Sequence, residues 1–141
     1  MQIFLSFAFD EDIDQVNGFR GMLENPNADI NFVDGSCKKD YAGKSETEIK
    51  TYIKSLLDQS SVTVCLISKD TKNKEWVDWE LEASQSKGKG IVGIVLKGKS
   101  DEIKHRTDCP DVLGSNKYEV IYWTDAQKMQ SAIEQAEKAR R

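Results

Sequence analysis

Val62-Thr63-Val64-Cys65-Leu66-Ile67-Ser68 is β-branched or apolar at nearly every position. A half-solvated strand would alternate polar and apolar side chains, so this run predicts a strand at the centre of a sheet covered on both faces, as parallel sheets are. Upstream of it, Ser45 and Glu48 form an S-x-x-E capping box opening a helix whose inner stripe is Ile49, Ile53, Leu56 and Leu57. Before that helix come a polar loop from Gly35 to Gly43 and a second strand candidate, Ile30-Asn31-Phe32-Val33-Asp34. The chain opens with Ile3-Phe4-Leu5-Ser6-Phe7, a further buried strand, which runs into Asp10-Glu11-Asp12. A helix carrying Ile13, Val16, Phe19 or Arg20, and Leu23 follows and stops at Asn25-Pro26-Asn27.

Downstream, Trp76 to Ala83 predicts a helix that ends at Lys87-Gly88-Lys89-Gly90, and Ile91 to Leu96 a fourth strand. Residues 97–117 are the least regular part, with Pro110 and Gly114 bracketing at most a short helical turn. Tyr118 to Trp123 gives a fifth strand. Thr124 and Gln127 then predict a second capping box, before a closing helix with Met129, Ile133 and Ala136 on its inner face. Strands alternating with helices, with right-handed crossovers, predict an α/β fold: a flavodoxin-like, doubly wound sheet of five mainly parallel strands, order 2-1-3-4-5, with helices on both faces. Ligands of such sheets sit beyond the carboxyl ends of the strands near the switch between strands 1 and 3. That places Ser6 to Asp10, Asp34 to Gly43 and Ser68 to Trp76 around one crevice.

Composition narrows the function. The 141 residues, 31% of them charged and 38% hydrophobic, suit a single domain spanning 1–141. A net charge of -4 with scattered cations argues against a general grip on nucleic acid or on a membrane surface. The apolar runs fall far short of the roughly twenty residues that span a bilayer. The first residues lack a basic start and a cleavage site, which predicts a cytoplasmic protein. Cys37, Cys65 and Cys109 have no C-x-x-C spacing, and His105 has no partner at ligand spacing, so neither a disulfide framework nor a metal site is expected.

Several nucleotide motifs fail in context. Gly93-Ile94-Val95-Leu96-Lys97-Gly98-Lys99-Ser100 matches the phosphate-loop pattern, but its intervening residues are the fourth strand itself and no helix is patterned after the lysine. It is expected to be a strand ending in a basic turn. No glycine occurs between residues 6 and 12, so a dinucleotide fingerprint is absent. A phosphoacceptor receiver would need an aspartate at the end of the third strand, where Ile67-Ser68 stands, and the hydrolase elbow G-x-S-x-G is missing.

What survives is Ser68 to Glu80, which leaves the central strand and enters a helix bearing Trp76 and Trp79. Glu80 lies one turn beyond Trp76, and Trp79 and Ala83 form an adjacent stripe. Periodicity leaves two readings open. Either Asp78, Glu80 and Glu82 are solvated charges above tryptophans in the core, or Glu80 is a carboxylate beside indole surface that can hydrogen-bond ribose hydroxyls.

The chain resembles the TIR domains, and among them the small bacterial TIR-like proteins of the Thoeris antiphage system. Ile3 to Phe7 followed by Asp10 to Asp12 is similar to the family's opening box, Phe32-Val33-Asp34 to its second strand, and Val62 to Ser68 to its third with a terminal serine. Trp76-x-x-x-Glu80 is similar to the W-x-x-x-E pattern of NAD-cleaving members. Val77 stands where a cysteine often follows the tryptophan, and the loop from Gly35 to Ser45 has no proline.

The resemblance implies that Glu80 is the catalytic carboxylate of an enzyme of the NAD+ nucleosidase or ADP-ribosyl cyclase kind, with NAD+ as substrate and neither metal nor cofactor. Phe7 or Trp76 would stack on a base or the nicotinamide, or else pack in the core. Ser6, Asp10 and Asp34 would bind hydroxyls or order the crevice. It also implies self-association to complete the site, and a cyclic ADP-ribose-type signal read by a separate effector protein. Two other readings stay open: a TIR interaction module that only scaffolds through the Gly35 to Ser45 loop, and a nucleoside deoxyribosyltransferase-like enzyme.

Overall fold

Strands that are apolar on both sides need helices on both sides, and the chain supplies them in alternation. The computed structural model describes residues 1–24, 30–34, 43–115 and 117–140, and of residues 9, 10 and 34 the backbone alone. Its elements are β1 (Gln2–Ser6), α1 (Phe9–Leu23), β2 (Asn31–Asp34), α2 (Glu46–Asp58), β3 (Val62–Ile67), α3 (Glu75–Ser86), β4 (Gly90–Val95), α4 (Asp111–Gly114), β5 (Glu119–Tyr122) and α5 (Ala126–Lys138). The strands form one sheet in the order β2-β1-β3-β4-β5. Every neighbouring pair is parallel, with Leu5 opposite Asp34, Ser6 opposite Cys65, Val64 opposite Val92 and Ile94 opposite Ile121. This is the α/β flavodoxin-like topology that the alternation predicts.

Two layers of helix cover the sheet. On one face Ile3, Leu5, Val62, Val64, Leu66, Val92 and Ile94 pack against Val16, Phe19 and Leu23 of α1 and Met129 and Ile133 of α5. On the other, Phe4 meets Ile53 and Leu57 of α2, and Cys65 and Ile67 meet Val77 and Leu81 of α3 and Leu113 of α4. Two glycines of β4 let helices approach. A Cβ at Gly90 would lie 2.2 Å from the Ala136 carbonyl oxygen of α5, and one at Gly93 would lie 3.0 Å from a methyl of Leu113. No helix among the described residues is long and apolar enough to cross a membrane.

The first capping box forms as read: Ser45 Oγ accepts the Glu48 N–H at 3.2 Å and opens α2. The second is corrected by one residue. Asp125 is the N-cap of α5, its carboxylate accepting the Lys128 N–H at 2.9 Å, in place of Thr124 with Gln127. A carboxylate is among the best acceptors for these unpaired N–H groups and suits the positive end of the helix, so it outcompetes the neighbouring threonine. In the irregular 97–117 stretch, a 3-10 turn at Arg106–Asp108 precedes α4. Arg106 Nη1 ties that stretch together by donating to the carbonyls of Leu113 and Tyr118 at 3.0 and 2.8 Å. Asn25-Pro26-Asn27, Cys37 and residues 35–42 of the polar loop lie outside the described residues.

Candidate active site

β1 and β3 lie side by side at the middle of the sheet, and the chain leaves them toward opposite faces, β1 into α1 and β3 into α3. A switch of this kind opens a crevice at the strand ends. Ser6, the last residue of β1, donates its hydroxyl to Glu80 Oε1 of α3 at 2.7 Å, bridging positions 74 apart in sequence. The buried stripe of α3 is Val77, Glu80, Leu81 and Ser84, so half of what this helix turns inward is polar. Ser84 Oγ donates back to the Glu80 carbonyl at 2.8 Å and lies 2.7 Å from Thr63 Oγ1 of β3. Glu80 itself is 0% exposed. Of the two readings that periodicity left open, its solvated form is therefore overturned, while Glu82 on the outer side is exposed.

The other expected site residues fall in different places. Phe7 is 2% exposed and packs in the α1/α5 core, among Val16, Phe19 and Leu66. Trp76 is half-buried on the opposite face, against Phe4, Ile53 and Leu57, with its ring edge-on to Trp79 at 5.9 Å and 80°. The structure thus brings Ser6 and Glu80 together and separates the two aromatic candidates by the sheet. Asp10 stands in the first turn of α1 and Asp34 at the end of β2; both backbones lie at the carboxyl edge, and their side chains are outside what is described.

A second polar cluster escaped the sequence reading. Ser68 Oγ, just past β3, donates to Asp12 Oδ2 of α1 at 2.5 Å, and the Ser68 N–H donates to Thr71 Oγ1 at 2.8 Å. All three residues are buried. Beside them Lys74, the N-cap of α3, pairs with Glu11 Oε1 at 2.7 Å. The signal was present. Asp12 is in helical phase with Val16, Phe19 and Leu23, the buried stripe of α1. Burial pushes the Asp12 carboxyl above its ordinary value; the Ser68 hydrogen bond opposes this, Glu11 adds to it, Lys99 opposes it and Asp70 adds to it. Burial likewise raises the Cys65 thiol, and the nearby Cys109, Glu80 and Asp78 push the same way, so Cys65 stays protonated.

The phosphate-loop look-alike folds as the sequence context implies. Gly93 to Val95 belong to β4, and Lys99 N–H closes a tight turn on the Leu96 carbonyl at 3.0 Å, with Gly98 at a φ of 78°. Gln15 of α1 holds this turn by donating to the Lys97 carbonyl at 2.9 Å. His105 caps the 3-10 turn together with Asp108, whose carboxylate accepts the His105 N–H at 3.0 Å.

The sequence is similar to known proteins. The family described as "Thoeris protein ThsB, TIR-like domain" matches residues 4–101, which include Ser6, Asp12, Ser68, Trp76 and Glu80. A Bacillus cereus (strain MSX-D12) protein named "Putative cyclic ADP-D-ribose synthase ThsB1" is 32% identical over 120 residues. The alignment covers 80% of this chain and 62% of that relative, so the chain spans less than two thirds of its length.

Proposed function

This chain belongs to the ThsB TIR-like family, and from that premise we propose that it consumes NAD+ in antiphage defence, cleaving the nicotinamide–ribose bond and forming a cyclic ADP-ribose-type signal. The observation that carries this reading is the Ser6–Glu80 pair, a carboxylate set by a hydroxyl at 2.7 Å beside the switch between β1 and β3. Breaking the N-glycosidic bond releases neutral nicotinamide with the bonding pair and leaves oxocarbenium character on the ribose. A fixed carboxylate in a water-poor site stabilises that positive charge as it develops, as carboxylates do in glycoside hydrolysis. Ser6 has two parts in this: it orients Glu80, and its oxygen accepts from a ribose hydroxyl once the substrate is seated.

Capture of the cation by a nitrogen or oxygen of the same molecule, with loss of a proton, gives the cyclic product; capture by water gives ADP-ribose. The name of the Bacillus cereus relative favours the first outcome. In this reading Trp76 offers an apolar wall beside the nicotinamide. Asp10 and Asp34 border the crevice from α1 and β2 and meet hydroxyls, and Phe7 contributes from beneath through packing. A second copy of the chain completes the site, and a separate effector reads the nucleotide. No cofactor or metal takes part, and the reaction belongs in the cytoplasm, where NAD+ is abundant.

Incubating the protein with NAD+, alone and with lysate of infected cells, and resolving products by chromatography tests the proposal. Loss of NAD+ with release of nicotinamide and a cyclic isomer is expected, and Glu80→Gln should abolish it while keeping the fold. NAD+ that survives every condition would leave the interaction-module reading in its place. Free base released from nucleosides instead would favour a deoxyribosyltransferase-like activity.

A further inference from the structure

An acidic residue in the first turn of a helix is normally a solvated complement to the helix dipole. Glu11 fits that description, being exposed, and so is Asp14 in the second turn, but Asp12 between them is 4% exposed. Keeping a carboxylate out of water is unfavourable unless it serves something, since an apolar pair of similar shape would suit the same place better. What it serves is visible in its partner. Ser68 begins the segment between β3 and α3, and it passes the constraint on: its N–H is held by Thr71 Oγ1 at 2.8 Å, and Thr71 opens the 3-10 turn Thr71–Asn73. The Lys74 N–H donates to the Thr71 carbonyl at 3.2 Å, and the Asp78 N–H to the Lys74 carbonyl at 3.1 Å, which carries the chain into α3. The far end of the segment is tied by Lys74 to Glu11 at 2.7 Å. Neighbouring carboxylates of α1 therefore hold both ends of the segment from Ser68 to Lys74.

We propose that Asp12 is a positioning residue: through Ser68 it fixes the segment that delivers α3, and so sets Glu80 against Ser6. The functional half of this rests on the role given to Glu80 under Proposed function; the structural half does not. α3 is pinned at its far end by Ser84 on Thr63 and in its middle by Glu80 on Ser6. The Asp12 clamp supplies a third point, at the head of the segment that leads into the helix. Loosening it lets the first turns of α3 shift against β1, and displacements of an ångström at a reacting group cost about a hundredfold in rate.

The test uses the full chain and four variants: Asp12→Ala, Asp12→Asn, Ser68→Ala and the double alanine. Asp12→Ala and Ser68→Ala should each lower kcat for NAD+ by about tenfold or more while KM stays within about twofold. Asp12→Asn, whose amide oxygen can accept the same bond, should recover kcat to within about threefold, and the double variant should be no worse than either single one. Amide hydrogen exchange supplies a readout independent of turnover. Thr71, Lys74 and Asp78 should exchange faster in both alanine variants, with β1 and β3 unchanged and Asp12→Asn close to wild type. The proposal is overturned if asparagine is as impaired as alanine, if KM rises at constant kcat, or if exchange at those amides does not change. Accelerated exchange in a chain that never consumes NAD+ would sink the enzyme reading and leave the clamp standing.

Discussion

The two faces of the sheet are built from the same strands to opposite rules. Toward α1 and α5, β1 and β3 present Ile3, Leu5, Val62, Val64 and Leu66, a dry and wholly apolar surface. Toward α2 and α3 the alternate positions are Phe4, Ser6, Thr63, Cys65 and Ile67, and the helix above answers with Glu80 and Ser84 as well as Val77 and Leu81. Polar groups survive burial there because each is met: Ser6 by Glu80, and Thr63 by Ser84. The difference teaches that the dry face holds the fold while the polar face gives up packing to fix a carboxylate. The two should therefore answer to mutation in opposite ways.

Leu66→Ala on the dry face should cost about 2–5 kcal/mol of stability, read from urea unfolding, because a fully buried side chain leaves a cavity. Activity per folded molecule should be retained. On the polar face the paired change Ser6→Ala with Glu80→Leu should do the reverse. It removes both hydrogen-bonding partners at once, so the melting temperature should hold or rise while NAD+ consumption is lost, about 2.7–4 kcal/mol in the activation barrier. A large fall in stability of that double variant would mean that the polar pair holds the fold after all. Ser84→Ala should cost about 1–3 kcal/mol by leaving the Thr63 hydroxyl unmatched, and adding Thr63→Val should recover most of it.

A smaller effect separates the carboxylate of the second cluster by its pH dependence. Because burial raises the Asp12 pKa in the folded protein, the folded state holds that proton more tightly than the unfolded chain does. Stability relative to Asp12→Asn should then fall as pH rises from the unfolded value of about 3.9 to the raised folded value, and stay level above it. Urea midpoints of the two proteins across that range check the sign. The smallest effect is expected outside both faces. Lys50→Ala removes an exposed pair with Glu46 and a contact over the Trp79 ring, and should change stability by about 1 kcal/mol or less.

Most of the fold was legible because its strands are apolar on both sides, and such runs have few other places to go. Val62 to Ile67 and Gly90 to Val95 lie within a residue of where the sequence put them. Helix starts were readable where one acceptor stood alone, as at Ser45, and misplaced where Thr124 and Asp125 competed. The stretch around α4 gave no pattern because Arg106 organises it through backbone carbonyls, which leave no mark in side-chain periodicity. At the candidate site, Trp76-x-x-x-Glu80 marked the carboxylate, but nothing local could show that Ser6 is its partner. Asp12 was hidden in plain sight: an acidic run at a helix start usually faces water, and only the phase of Val16, Phe19 and Leu23 says otherwise.

The strand order has a kinetic side. β1 is made first yet sits between β2 and β3, and since every pairing is parallel, none can form as a simple hairpin. A ribosome adding about 5–20 residues per second needs roughly 3–12 s to go from Ser6 to Cys65, its partner on β3 59 positions later. Through that interval the apolar β1 waits without its central neighbour. Newly made chains should therefore depend on chaperones more than a helical bundle of equal length would, and refolding should be slow for the size of the domain.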